Sequence, residues 1–182
     1  MPKITPDLKQ QIQNLSKADL EKVVIKIAGK NKAVFDYLQV NFFNKEFGEQ
    51  DLFEEAKTDL NKLFGKSYKG FSEQLQLANM LSACVKRLNE FTKINKNKKL
   101  EADLVMYILD VPFSCSGNFY GTCFTAFDYR VGLLVKRMVT LVNSKLHEDY
   151  RIEYTEKINN YLKILHRTSS HIDMIYSLPQ EI

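Results

Sequence analysis

Hydrophobic residues recur at the three- and four-residue spacing of an α-helix along most of this chain. One stripe, Leu20, Val23, Val24 and Ile27, occupies offsets 0, 3, 4 and 7 of a single helical face. The longest stripes are Leu75, Ala78, Leu81, Val85, Leu88 and Phe91, then Phe127, Val131, Leu134, Met138 and Leu141. Because no stretch alternates in the manner of a strand, the pattern predicts an all-α fold with about eight or nine helices and no sheet.

Helix boundaries follow from proline, glycine and capping residues. The predicted N-caps of the early helices are Thr5, Ser16 and Ser72. Gly48 is expected to break the helical pattern, and Pro112 to end a helix, because the residue before proline avoids helical backbone angles. The next helix is expected to begin at Thr122, with Asn118 or Thr122 as its N-cap. The predicted helices span about 6–15, 17–28, 32–43, 50–64, 73–94, 100–111, 122–146, 148–167 and 170–178.

The loops between these helices are short, so successive helices are expected to be antiparallel neighbours. The length fits one all-helical domain over residues 1–182. Its architecture is predicted to be a multi-helix bundle or a short antiparallel helix-pair solenoid of the HEAT-like kind. The strongest stripes predict a shared core of Leu81, Val85, Leu88, Phe127, Leu134, Leu141 and Ile158.

Three segments resemble a known family. They are LSKADLEKVVIKIAGKNKAVFDYLQVNFF at 15–43, EEAKTDLNKLF at 54–64 and LEADLVMYILD at 100–110. They are similar to an uncharacterised family of small all-helical bacterial proteins of unknown function, over about the first two thirds of the chain. The resemblance implies an all-helical fold and transfers no functional residue, and the connection at 113–124 does not match the family pattern.

The composition limits which cellular compartments and which classes of function fit this chain. The chain is 45% hydrophobic and 26% charged, which is typical of a globular protein. The polar start MPKITPDLKQQ does not resemble a secretory signal, and no apolar run approaches a membrane span. Three cysteines, an odd number, favour free thiols in a reducing cytoplasm. We therefore expect a cytoplasmic protein with no membrane association.

The stretch FSCSGNFYGTCF at 113–124 contains two of the three cysteines. Cys115 and Cys123 have seven residues between them and lack the short knuckle of a structural zinc site, so no metal and no cofactor is expected. The main interpretation is a packed interhelical connection, in which Gly117 and Gly121 allow turns. The alternative is a small pocket near 114–130 that would serve an enzyme, with candidate residues Asn118, Tyr120, Asp128 and Arg130.

Basic residues crowd another connection, near 86–99. Its candidate partner-binding residues are Lys93, Lys96, Lys98 and Lys99. A contact with phosphate or an acidic protein is one interpretation, and a solvated loop is the other. The net charge of only +4 and the absence of alternating aromatic residues argue against a nucleic-acid partner.

The sequence carries no recognisable catalytic motif. The favoured hypothesis is therefore a non-catalytic helical scaffold or adaptor that binds a protein partner through a helical face. Weak binding of nucleic acid or an acidic partner through the basic residues, and an enzyme with a small pocket, are the alternatives. The pattern leaves homo-oligomer formation open, because apolar helix faces serve a core and an interface equally well.

Overall fold

Nine α-helices and one short π-helical segment make up the described part of the chain. The structure is a computed structural model and describes residues 3–114 and 119–182. The helices are α1 Pro6–Gln13, α2 Lys17–Ala28, α3 Lys32–Leu38, α4 Lys45–Phe64, α5 Glu73–Ile94, α6 Lys98–Ser114, α7 Ala126–Ser144, α8 Glu148–Thr168 and α9 Ile172–Tyr176, and the π-helical segment is Gln39–Phe43. No strand occurs within the described residues, so the predicted all-α class is confirmed.

The chain divides into two compact units, and the division falls within α4. The N-terminal unit is Met1–Gly48 and the C-terminal unit is Glu49–Ile182. In the N-terminal unit α2 packs against α3, which continues into the π-helical segment. The single domain expected over 1–182 stays a prediction, and each unit is described by itself below.

Helix α7 is the centre of the C-terminal unit, where it packs against α5, α6, α8 and α9. About half of its residues are buried, ten of nineteen, and they lie on one side of the helix. Its buried residues include Phe127, Val131, Leu134, Val135 and Met138. A solenoid repeat contacts only its neighbours. The four partners of α7 are the two helices before it and the two after it in the chain, a pattern that fits both predicted architectures, the bundle and the helix-pair solenoid.

Capping side chains begin the helices where the sequence predicts. The Thr5 hydroxyl accepts a hydrogen bond from the Leu8 N–H at 3.3 Å, and the Ser16 hydroxyl accepts one from the Asp19 N–H at 3.2 Å. Ser72 caps α5 in the same way. Each cap satisfies an N–H group that has no carbonyl partner within its helix.

The structure contradicts two expected helix breaks. Gly48 lies inside α4, which begins at Lys45, because a single glycine costs a helix only about 1 kcal/mol. Pro112 lies inside the last turns of α6, where it lacks the N–H that would bond the Ile108 carbonyl. Its ring is buried, and the next residue, Phe113, stacks on Tyr161 with ring centroids 3.8 Å apart. Packing therefore holds the last turn despite the missing bond.

Helix α7 begins at Ala126, later than expected, and Thr122 is not its N-cap. The Thr122 hydroxyl instead accepts a hydrogen bond from the Phe124 N–H at 3.2 Å. The alternative cap, Asn118, lies outside the described residues. Gly121 has a φ of 71°, and a Cβ there would collide with the Thr168 carbonyl oxygen. The connection before α7 therefore needs glycine at this position for both conformation and space.

The predicted core is confirmed for six of its seven residues. The exception, Val85, is only half-buried. Its neighbour Cys84 is fully buried instead, in the stripe Leu81, Cys84, Leu88 and Phe91. The buried face of α5 differs from the predicted one because α5 packs against both α6 and α7. The residues that face the space between these two helices are the ones that are buried.

Candidate functional site

The N-terminal unit exposes apolar side chains that a folded unit would ordinarily bury. Val40, at 3% exposure, is the single buried residue among the described residues of this unit. Its exposed large hydrophobic residues are Ile4, Leu8, Ile12, Leu15, Val23, Val24, Ile25, Ile27, Phe35, Tyr37, Phe42 and Phe43. Single exposed hydrophobic residues are normal, whereas twelve of them within 48 residues are unusual for a folded unit.

Most of these residues follow helical stripes. Leu8 and Ile12 are four residues apart on α1, and Val23, Val24 and Ile27 form one face of α2. Leu15 lies in the connection between the two helices. Phe42 and Phe43 in the π-helical segment are 67% and 70% exposed. We define the N-terminal apolar surface as Leu8, Ile12, Leu15, Val23, Val24, Ile27, Phe35, Phe42 and Phe43.

The four candidate lysines occupy different environments. Lys93 and Lys96 are exposed, and the Lys96 ammonium donates to the Thr92 carbonyl at 3.2 Å. Lys98 pairs with Glu101 at 2.7 Å. An ammonium that is already paired within the protein has fewer free N–H donors for an acidic ligand. Within the described residues, the cluster therefore divides into two solvated and two internally paired lysines.

Lys99 has the densest set of contacts. Its Nζ donates to carboxylate oxygens of Asp103 and Glu153, at 3.0 and 2.6 Å, and to the Tyr154 hydroxyl at 2.6 Å. Burial alone would lower the pKa of Lys99, but the hydrogen bonds to Glu153, Tyr154 and Asp103 outweigh burial and raise it. The three donors of the ammonium are used, so Lys99 joins α6 to α8.

Glu101 is a buried carboxylate that Arg137 holds from α7. The guanidinium donates Nε and Nη2 to Glu101 Oε1 at 3.0 and 2.7 Å, and its Nη1 to Asn89 at 2.7 Å. Burial by itself would raise the pKa of Glu101, yet the hydrogen bonds from Lys98 and Arg137 lower it. Arg137 thus links α5, α6 and α7, and this basic residue also serves the fold.

Among the candidate pocket residues, Asp128 is buried within a network of hydrogen bonds. Asp128 is 1% exposed, and its Oδ2 accepts hydrogen bonds from Ser169 Oγ, the Ser170 N–H and the Gly121 N–H, at 2.8, 2.9 and 3.2 Å. Its Oδ1 is buried with no hydrogen bond from the described residues. The carboxylate joins the connection before α7 to the connection between α8 and α9.

The other pocket candidates differ in their surroundings, and Tyr120 directly precedes Gly121, whose N–H donates to Asp128. Tyr120 stacks on Phe113, with ring centroids 5.7 Å apart, and Asn118 lies outside the described residues. Arg130 is exposed, and its guanidinium lies over the Tyr129 ring at 5.9 Å. Asp128 and Arg130 therefore point to different environments, as residues two apart on a helix do.

The cysteines give no sign of a reactive site in the described residues. Cys84 is free and buried, and burial raises the pKa of its thiol to about 12. Cys123 is free and exposed, in the connection before α7 instead of its first turn. Cys115 lies outside the described residues, so the expectation of three free thiols stays a prediction. No group of three or more metal-ligating side chains occurs in the part of the chain that the structure describes.

Among the surface depressions that described residues line are two on the C-terminal unit. One, of about 370 Å³ between α4 and α5, contains the ion pair of Arg87 with Asp59 at 2.9 Å. The other is an open surface of about 500 Å³ lined by residues of α8 alone. Neither has the convergent polar groups in an apolar cleft that are typical of a small-molecule site.

Comparisons with protein-family models, curated proteins and solved structures found no match to this chain. The resemblance to a bacterial helical family therefore stays a prediction. None of the helices in residues 3–114 and 119–182 combines the length and apolar character needed to cross a membrane.

The sequence marked the α2 stripe as an apolar helix face but did not reveal that it stays exposed. A stripe directed to the core and one directed to solvent have the same spacing. In the structure the first three helices are short, with 8, 12 and 7 residues, although the sequence predicts a longer first and third helix. Such short elements supply little area for a core of their own.

Proposed function

We propose that this chain is a non-catalytic helical adaptor that binds a protein partner through the N-terminal apolar surface. The observation that supports the proposal is the contrast within the N-terminal unit, where one described residue is buried and twelve large hydrophobic residues are exposed. Exposed apolar side chains gain about 25 cal/mol per Å² when a partner removes them from water. The C-terminal unit supplies a well-packed body that carries this surface.

The alternatives have weaker support. Lys98 and Lys99 are paired with carboxylates, which leaves little of the cluster for nucleic acid or an acidic partner. An enzyme with a pocket near 114–130 has less support because the candidate Asp128 is already bonded to two backbone N–H groups and a serine hydroxyl. We place the adaptor in the cytoplasm, where free thiols such as those of Cys84 and Cys123 persist.

Site-specific photo-cross-linking in the cells that natively make the protein tests the proposal. A photoreactive amino acid replaces Val24 in one variant and Ile152 on α8 in the matched control, which is 80% exposed. We expect discrete protein adducts from position 24 and none from position 152. Mass spectrometry identifies the partner, and titration calorimetry with the purified partner measures its affinity.

A disruptive variant provides the second arm. Val23→Glu places a charge on the N-terminal apolar surface and should weaken the measured binding by about 30-fold or more, as at an interface hot spot. Equal adduct yields at the two positions, or binding that Val23→Glu leaves unchanged, would contradict the proposed function.

A further inference from the structure

The N-terminal unit lacks the usual means by which a small unit becomes stable. It comprises Met1–Gly48, and Val40 is its single buried described residue. Small units, of fewer than about 70 residues, often add a disulfide, a metal or an oligomeric partner to a limited core. Its sequence contains no cysteine, and no metal-ligating group occurs among the described residues. Of the three means, association with another chain is the one that its residues support.

The available apolar area suits a dimer. A fully exposed aliphatic side chain offers roughly 60–120 Å² and an aromatic one about 150–250 Å². Weighted by their exposed fractions, the nine side chains of the N-terminal apolar surface offer roughly 400–800 Å² per copy. A standard interface buries about 800 Å² per partner, of which about 60% is apolar. The apolar area that this surface offers is therefore similar to the apolar area that a standard interface buries.

The N-terminal unit carries charges of both signs, with eight Lys residues against five Asp and Glu residues. Within α2 Lys17 pairs with Glu21 at 3.8 Å and Lys22 with Asp19 at 3.6 Å. An anionic membrane or a nucleic acid would select a surface of one sign. A second copy related by two-fold symmetry presents the same mixture, so the lysines of one copy can meet the carboxylates of the other.

We infer that the N-terminal apolar surface binds a second copy of this chain and forms a two-fold symmetric dimer. The inference rests on the proposed function, because it names the partner of the same surface. In the dimer the stripes of α1 and α2 from the two copies cover each other, and the exposed Phe42 and Phe43 complete the buried area.

Sedimentation velocity of the full-length protein tests the inference. Over roughly 1–200 µM the wild type should move toward a species of about twice 21.2 kDa, because dimer formation depends on concentration. The double variant Val23→Glu with Ile27→Glu should raise the dimer dissociation constant by about 100-fold or more. The matched control Ile152→Glu, on the exposed face of α8, should leave it unchanged.

Hydrogen exchange supplies a second measurement that does not depend on a variant. Amide protection in α1 and α2 should rise with protein concentration, whereas protection in α7 should not change. Helical circular dichroism of each variant checks that the C-terminal unit is folded. Because the substituted side chains are exposed, we expect that signal to stay intact.

A wild type that stays monomeric throughout the concentration range, with constant protection in α1 and α2, would overturn the dimer. Binding of that monomer to vesicles containing phosphatidylserine, abolished by the double variant, would assign the surface to a membrane and overturn both proposals. An adduct from position 24 with a different protein would overturn the dimer and leave the proposed function standing. The two proposals can therefore fail separately.

Discussion

At the residue scale, Asp128 shows what a buried carboxylate does in this protein. It accepts hydrogen bonds from two backbone N–H groups and one serine hydroxyl, and these donors come from two different connections. Hydrogen bonds to a charged acceptor are stronger than neutral ones. The candidate pocket residue thus stabilises the ends of α7 and α8.

We expect Asp128→Ala to lower the free energy of unfolding by about 2–4 kcal/mol, because it leaves buried donors without an acceptor. Urea denaturation followed by circular dichroism measures the change. The control is Asp51→Ala, at an exposed position on α4, which should change stability by less than about 0.5 kcal/mol. Equal losses of stability at the two positions would contradict the structural role of Asp128.

Glu101 provides a pH-dependent prediction. Its pKa in the folded protein lies below the usual 4.5, so its contribution is fully present above that pH and is lost as pH falls through the folded pKa. At pH 7 we expect Glu101→Gln to destabilise by about 1.5–3 kcal/mol. The difference from wild type should shrink as the pH falls below about 4.5.

Chemical denaturation at a series of pH values between about 7 and 3 measures this difference. The control is Glu21→Gln, because the Glu21 side chain is 61% exposed and its ion pair with Lys17 is long, at 3.8 Å. Exposed pairs contribute little, so this variant should stay within about 0.5 kcal/mol of wild type at every pH. A difference for Glu101→Gln that does not vary with pH would contradict the role assigned to its charge.

At the element scale, two helices begin in chemically different ways. The Ser72 hydroxyl accepts a hydrogen bond from the Leu75 N–H at 3.3 Å at the start of α5. Thr125 occupies the N-cap position of α7 and makes no such bond. Ser72→Ala should therefore cost about 1 kcal/mol and Thr125→Ala clearly less. Thermal unfolding of the two variants side by side measures the difference, and equal losses would contradict it.

At the scale of the whole molecule, the C-terminal unit depends on the central position of α7. Leu134 is 2% exposed, whereas its neighbour Leu133 is 37% exposed. Leu134→Ala should lower the free energy of unfolding by about 2–5 kcal/mol, because the deletion leaves a cavity. Leu133→Ala is the matched control and should cost less than about 1 kcal/mol. Denaturant unfolding measures the loss of stability in each variant. A larger loss for Leu133→Ala than for Leu134→Ala would contradict the central position of α7.

The sequence by itself determined the fold class and most helix boundaries. Helical periodicity and local caps such as Ser16 and Ser72 act over three or four residues, so the chain segment contains the information. The same reasoning was wrong at Gly48 and Pro112. At Pro112, packing of distant residues compensates for an unfavourable local residue.

Only the tertiary structure decided which apolar faces are buried and which charges are paired. Lys99 and Glu153 are 54 positions apart, and Asp128 meets Ser169 across 41 positions. No local pattern encodes such distances, because they depend on how whole helices pack. For the same reason, the stripes of α2 and α7 look alike in sequence, yet α7 is buried between four helices and α2 keeps Val23, Val24 and Ile27 exposed.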